Sequence, residues 1–424
     1  TMKIPATLWV CAVLLAATAS EAADRTAQAG LIKKQLVEQI MPYWQDTAVD
    51  REHGGFVLAD DGTGQPGRAT EKQLVTQARM IWGFSHAHRK GLGEGKRDYL
   101  ADAAQGYRFL LAHFRDTTHG GFIWSTDLAG KPLNRSKIIY GQSFVLYGLV
   151  EYYRASGDKA ALQQALDLYR VLQERSHDAR RGGWIEHFQA DWTPMLAPGP
   201  EAIVEVGGYK SANTHLHLME ALAELYEVSG DAAVRKSLKE ALDINMKYFY
   251  PRNPGRSCFH RQLDWSEVKD PGSQGLSYGH NVEFAWLMVR AQQVLKRKPA
   301  WPHFRAHIDH ALKYGYDHAK GGVYNRGIQD RPATNRDKIW WVQSEMLAAL
   351  TDALAQEQNG SYAAALDSLL GWIQQYQADA KDGIWLDTLE ADGTPKTRAK
   401  AHNWKANYHD VRALVKFVEA FSGS

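Results

Sequence analysis

Three segments of the 424-residue chain carry side chains suited to moving protons. They are Asn213-Thr214-His215-Leu216-His217, Tyr278-Gly279-His280-Asn281-Val282-Glu283 and Asn407-Tyr408-His409. Imidazole titrates near neutral pH, so each histidine can act as base or acid there. His280 and Glu283 are three residues apart and share a face on a helix, where a carboxylate can fix the tautomer of an imidazole. Asn213 and His217, four apart, also share a face; His215 points elsewhere and reads as a packed or supporting residue. Two histidines suit proton transfer at a carbon beside a carbonyl. On an open-chain aldose, one neutral imidazole takes the C2 proton and leaves an enediolate. A cation such as Arg79 stabilises the charge growing on oxygen. A second, protonated imidazole returns a proton to the opposite face and inverts C2. Return to C1 instead gives a ketose. Neither route calls for a cofactor.

Segments so far apart meet only if a fold gathers them. Each sits at or near the start of an amphipathic helix, and each of those helices has the same place in a repeat. Gly-rich turns followed by an apolar residue recur as His53-Gly54-Gly55-Phe56, His119-Gly120-Gly121-Phe122, Arg181-Gly182-Gly183-Trp184, Lys320-Gly321-Gly322-Val323 and Asp382-Gly383-Ile384-Trp385. Ser257-Cys258-Phe259-His260 is a degenerate copy in the one long gap. A spacing of about 60 to 75 residues is the mark of a repeat architecture. Residues 141–153, 212–226 and 278–294 are apolar at i, i+3, i+4 and i+7, and apolar overall. Ser156-Gly157-Asp158 and Ser229-Gly230-Asp231 then end one helix with Gly and cap the next with Asp. Residues 160–175 and 232–248 read as second helices with one wet face. The pattern predicts about twelve helices in six hairpins. Apolar inner members favour closure into an all-α (α/α)6 barrel, a toroid spanning residues 24–424 as one domain, with short β-turn or hairpin elements in its loops. An open solenoid is the alternative, and that would more often be a scaffold.

Bulk composition narrows the partners. A formal net charge of +2, with Lys and Arg dispersed, gives no field for nucleic acid or an anionic membrane. The 14 Trp and 19 Tyr fit a helical core, and also a site where flat rings stack on sugars. Residues 1–23 read as a signal peptide: Lys3, an apolar run over 6–17, then Ser20-Glu21-Ala22-Ala23 for cleavage. Thr1, ahead of Met2, reads as an added residue. The mature chain is expected in the periplasm or outside the cell, free of the membrane. Of two cysteines only Cys258 lies beyond the leader, which excludes an intramolecular disulfide and a Cys-based metal site.

In a closed toroid the N-terminal ends of the inner helices line one mouth. Those positions carry Gln77 and Arg79, Tyr140 and Gln142, Asn213 and His217, His280 and Glu283, Trp340, Trp341 and Glu345, and Trp404, His409 and Arg412. One such residue is usually a satisfied buried polar group; six together point to a site. Three histidines and a glutamate suffice to bind zinc, but there is no His-Glu-x-x-His, and no metal is expected. A glycoside hydrolase needs two carboxylates across the bond. Glu283, Glu345, Glu205 and Asp191 are candidates, yet histidines hold the strongest positions.

At these residues the chain resembles the N-acylglucosamine 2-epimerase superfamily, and most of all its cellobiose 2-epimerase and mannose 2-epimerase branch. The resemblance runs from about Leu31 to Phe421. Lys210-Ser211-Ala212-Asn213-Thr214-His215-Leu216-His217, Ser277-Tyr278-Gly279-His280-Asn281-Val282-Glu283, Trp340-Trp341-Val342-Gln343-Ser344-Glu345 and Trp404-Lys405-Ala406-Asn407-Tyr408-His409 carry it. It implies an (α/α)6 barrel and C2 epimerisation through an enediolate, with a sugar as the only partner and a monomer or homodimer. It implies His280 and His409 as the acid/base pair, His217 for ring opening or substrate contact, Arg79 on the enediolate oxygen, and Glu283 in support of His280. Asn213, Tyr140 and Glu345 would bind the sugar, and Trp340 or Trp341, with Trp404, would stack on it. Ala212, Asn281, Val342, Asn407 and Asp410 depart from the family's usual Met, Asp, Pro, Pro and Asn. None of these removes a proton-transfer group.

Overall fold

The fold was analysed in a computed structural model of the chain. The structure describes residues 25–197, 207–270, 273 and 275–422. The expected leader and Glu205 lie outside them.

Among the described residues twelve helices alternate outer and inner. We number them α1 (25–48), α2 (Leu74–Arg89), α3 (Tyr99–Phe109, continued by a π turn over Leu110–Phe114), α4 (Ile139–Ser156), α5 (Lys159–Arg175), α6 (Ala212–Ser229), α7 (Ala232–Ile244, continued over Asn245–Phe249), α8 (Tyr278–Val294), α9 (Trp301–Tyr314), α10 (Trp340–Gln356), α11 (Gly360–Trp372, continued over Ile373–Gln377) and α12 (His409–Phe421). The even-numbered helices are buried on nearly all sides and pack in sequence, α2 to α4 to α6 to α8 to α10 to α12. The expected punctuation holds: Gly157 and Gly230 end α4 and α6 in the left-handed conformation, and Asp158 and Asp231 cap α5 and α7. Strands are two or three residues long and form five small sheets in the loops ahead of the inner helices.

The ring closes between α12 and α2. Trp82 meets Tyr408 edge-on at 5.3 Å, and the Trp404 carbonyl accepts a hydrogen bond from Arg79. A Cβ at Gly83 would collide with the Asn407 carbonyl, so the closure needs a glycine there. The sixth helix pair is not a consecutive hairpin. The outer place beside α12 is taken by α1, which Arg25 ties to Asp367 of α11 at 2.8 Å. The chain thus closes the toroid with its first and last helices.

Two polar devices recur at the Gly-rich turns, and most turns have both. The first is a fully buried lysine, immediately ahead of the inner helix in four units and farther upstream, at Lys400, in the last. Lys72, Lys137, Lys210, Lys338 and Lys400 bind Asp50, Asp116, Asp178, Asp317 and Asp379 at 2.6–3.1 Å. Lys72, Lys210 and Lys338 also donate to the carbonyl of the first turn glycine. Burying an ammonium is tolerable only with such partners. The fourth unit has no lysine here; His303 and His307 of α9 donate instead to the Tyr250 carbonyl, at 2.7 and 3.2 Å. The second device is a polar residue in the first turn of the inner helix. Gln77, Gln142 and Gln343 each accept the N–H and donate to the C=O of one turn residue, Phe56, Phe122 and Val323. His215 and Asn281 accept the N–H of Trp184 and Ser257. Gln77 and Gln142, expected at the mouth, are therefore parts of the frame.

Candidate active site

Two residues beyond each frame position the helix has turned by about 200°. Arg79, Phe144, His217, Glu283, Glu345 and Arg412 stand there, and all but Phe144 are polar. With the residues around them they form two groups joined by one arginine.

In the first group Arg79 donates to the Tyr140 hydroxyl at 2.9 Å and to the Trp404 carbonyl at 3.0 Å. Its guanidinium lies 4.2 Å from the Phe144 ring centre. His217 stacks edge-on to Tyr140 at 5.3 Å. Its Nδ1–H donates to Glu220 Oε2 at 2.8 Å, which leaves Nε2 to act. Glu220 Oε1 accepts from the Tyr408 hydroxyl at 2.8 Å and from Arg412. Asn213 is half-buried, and its Oδ1 has no protein partner.

In the second group His280 and His409 flank one indole. Trp341 lies 4.8 Å from the His280 ring and 5.9 Å from the His409 ring. His409 Nδ1–H donates to Glu345 Oε1 at 2.6 Å, so its Nε2 is the free base. The other oxygen of Glu345 accepts from Trp286 Nε1 at 2.9 Å. Arg412 Nη2 donates to Glu345 at 2.8 Å and to Glu283 at 3.2 Å.

Burial sets the protonation states. Desolvation lowers His280 and His409 to about 3, so both are neutral bases at pH 7. Burial would raise Glu345, but Arg412 and the hydrogen bonds of His409 and Trp286 outweigh it and hold the carboxyl at about 2. Glu283 goes the other way: burial and the charge on Glu345 push it well above the carboxylate range. One acid of this close pair is ionised and the other protonated. Carboxylate and imidazole atoms of Glu283, Glu345 and His409 lie within 4.8 Å of one another. Arg412 already binds both carboxylates and supplies the positive charge at that point.

The structure thus brings together His217, His280, His409, Arg79, Tyr140, Asn213, Trp341 and Trp404. It corrects three expectations. Glu283 meets Arg412 rather than His280; the i, i+3 pairing expected there forms instead between His217 and Glu220. Glu345 is fully buried with both oxygens engaged, so it serves His409 and does not reach a substrate. Trp340 is buried in the wall against His402, which leaves Trp341 as the half-exposed indole. Glu220, Tyr408 and the joining role of Arg412 were missed. Glu220 sits three residues after His217 as Glu283 sits after His280, and that spacing was the available signal.

The profile of the N-acylglucosamine 2-epimerase (GlcNAc 2-epimerase) family matches residues 54–413. The chain belongs to this family. Cellobiose 2-epimerase from Bacteroides fragilis is 30% identical, over 91% of this chain and 97% of that protein. The enzyme of that name from Dictyoglomus turgidum is 26% identical over 92% and 97%. Among solved structures, cellobiose 2-epimerase from Spirochaeta thermophila superposes with a TM-score of 0.83 at 29% identity, covering 94% of this chain and 98% of that one. The chain falls on the cellobiose and mannose 2-epimerase branch, and is an isomerase with an (α/α)6 fold. A GH76 α-mannanase from Bacteroides thetaiotaomicron shares the fold alone, with a TM-score of 0.63 at 11% identity.

Proposed function

We propose that this epimerase inverts C2 at the reducing end of a gluco- or manno-configured sugar, a cellobiose-type disaccharide or a free hexose, and that His280 and His409 carry the proton. The single observation behind the assignment is the pair of neutral imidazoles on either side of Trp341, with Arg79 across the lumen. The open-chain aldose lies against Trp341 and Trp404. One imidazole removes the C2 proton, and the electron pair of the C–H bond moves into the C1–C2 bond as the C1 carbonyl becomes an enediolate oxygen. Arg79 binds that oxygen; developing negative charge in a buried site is stabilised far more than in water. The anion also raises the proton affinity of both rings, so groups held near 3 in the empty site can carry a proton in the complex. The opposite imidazole takes up a proton from solvent and delivers it to the other face of C2, and the first ring returns the proton it abstracted to solvent. His217, braced by Glu220, assists ring opening, and Asn213 and Tyr140 bind hydroxyls.

Incubation in D2O with cellobiose, mannobiose, mannose, glucose and N-acetylmannosamine tests the reading. Deuterium at C2 of an epimerised product is expected, and its absence from every product refutes it. Deuterium at C1 of a ketose would mark isomerisation through the same enediolate; a D-mannose isomerase from Marinomonas mediterranea is 23% identical to this chain. We further propose that residues 1–23 export the enzyme to the periplasm or beyond, supported by Lys3 and the apolar run that follows; fractionation of expressing cells checks it.

A further inference from the structure

The ring of backbone clamps has a sixth position, and an acid occupies it. Asp410 stands two residues before Arg412, as Gln77 stands before Arg79, His215 before His217, Asn281 before Glu283 and Gln343 before Glu345. The other clamps are neutral and accept a turn N–H. Asp410 is fully buried, and its carboxylate meets no side-chain hydrogen-bond partner, only the N–H groups of its own helix start at Asp410 and Val411. Lys405, five residues earlier, is also fully buried, and its ammonium has no acceptor, unlike the five lysines that hold the turns. Its Nζ lies 5.6 Å from the ring centre of Trp44 and 5.4 Å from that of Trp340. The indole N–H of each tryptophan is unpartnered as well.

We propose that Lys405 and Asp410 form an internal ion pair joined through trapped water, and that they are positioning residues which set the place and the proton affinity of His409. A buried charge without a partner costs several kcal/mol, so two of opposite sign on one short segment call for a bridge. Trapped water needs two to four polar partners; the ammonium, the carboxylate and the two indole N–H groups supply them. The segment that carries the pair, with Trp404 just ahead of it, helps build the site. The Trp404 carbonyl holds Arg79, the Tyr408 hydroxyl holds Glu220, and His409 holds Glu345. Asp410 is the residue after His409, and Trp340 spans the two environments, 6.5 Å from the His409 ring. The other charged or titratable groups facing His409 are Glu345 of α10, Arg412 of α12, Arg79 of α2, and His280 and Glu283 of α8, and those facing Lys405 besides Asp410 are Asp387, Asp60 and Lys400.

The inference rests on His409 as a proton-transfer residue, and opposite charge changes test it. Asp410→Asn leaves the cation and should move the acidic limb of the kcat profile to lower pH. Lys405→Met leaves the anion and should move it to higher pH, each by on the order of one unit. Both singles should lose about tenfold in kcat, a drop of one decade on the scale that 1.36 kcal/mol sets. The double variant should recover the wild-type limb. Two singles that shift the same way, or not at all, overturn the proposal. If either single fails to fold, a thermal-unfolding cycle decides. A double variant more stable than the single variants supports the pair, and one no more stable overturns it. That cycle reads the pair with no reference to catalysis. His409→Asn with turnover intact would instead sink the role of His409 and leave the cycle standing.

Discussion

Two polar rings run around this barrel on the same helices, two residues apart, and they are wired in opposite ways. The frame ring, Gln77, Gln142, His215, Asn281 and Gln343, spends its hydrogen bonds on the backbone of the Gly-rich turns. The lumen ring, Arg79, His217, Glu283, Glu345 and Arg412, bonds mainly to other side chains. A polar residue that satisfies a turn has no capacity left for chemistry. In the lumen ring His217 keeps Nε2 free, as does His409 beside the ring, whose Nδ1–H is held by Glu345. Burial does not separate the two rings; the partner does.

The comparison breaks most sharply at the proton carriers. His409→Asn and His280→Asn should each cut kcat by about 10²- to 10⁴-fold, the usual contribution of a general acid or base. Far-UV circular dichroism and the unfolding midpoint should stay near wild type. Activity within tenfold of wild type in either variant would remove that residue from the lumen ring's chemistry.

Next come the charges that pin the frame. Lys137→Met leaves Asp116, almost wholly buried, without its cation. Breaking one side of a buried pair costs about 3–5 kcal/mol, so chemical unfolding should show a loss of that order. The aspartates of these pairs are all held below their ordinary range by their lysines and turn N–H groups, against the pull of burial. Gln142→Leu strands one N–H and one C=O of Phe122, and should cost about 2–4 kcal/mol while leaving KM and kcat close to wild type.

Acid should expose both rings at once. Desolvation holds His215 at about 4, and His307 and His409 at about 3. The unfolded chain therefore binds protons first, and stability falls as pH drops below 6.5. Glu151 and Glu345, each held at about 2, add stability that is complete above 4.5 and is lost as pH falls toward 2. Urea midpoints at pH 7, 5.5 and 4 should decline in that order. A flat series would mean that the histidines are protonated in the fold or paired in the unfolded chain.

Most of the frame could be read from local pattern. Helix periodicity and the Gly–Asp punctuation at 157–158 and 230–231 are short-range signals, and they placed the inner and outer helices. The closing partnership of α1 with α12 was not readable, because nothing in either segment encodes which distant helix it meets. The lysine clamps were readable but unread: an aspartate four residues before the first glycine recurs at Asp50, Asp116, Asp178, Asp317 and Asp379. In the site, spacing alone could not tell the His217–Glu220 pair, which forms, from His280–Glu283, which does not. Arg412, arriving from the last helix, takes Glu283 away, and that is a tertiary fact.

The finest test of the two rings lies in α6, where His215 and His217 are separated by a single leucine. His215 accepts the Trp184 N–H at 3.1 Å and donates to the Ser211 carbonyl at 2.8 Å. Glutamine does the equivalent work at three other frame positions, accepting an N–H and donating to a C=O. His215→Gln should therefore change stability by no more than about 1 kcal/mol and leave kcat untouched. His217→Gln keeps size and polarity but loses the free ring nitrogen beside Tyr140, so it should lower kcat at least tenfold with the same unfolding midpoint as the wild type. Steady-state rates and thermal melts on the two variants read the contrast directly. Equal losses of activity would mean that the frame ring takes part in the chemistry after all.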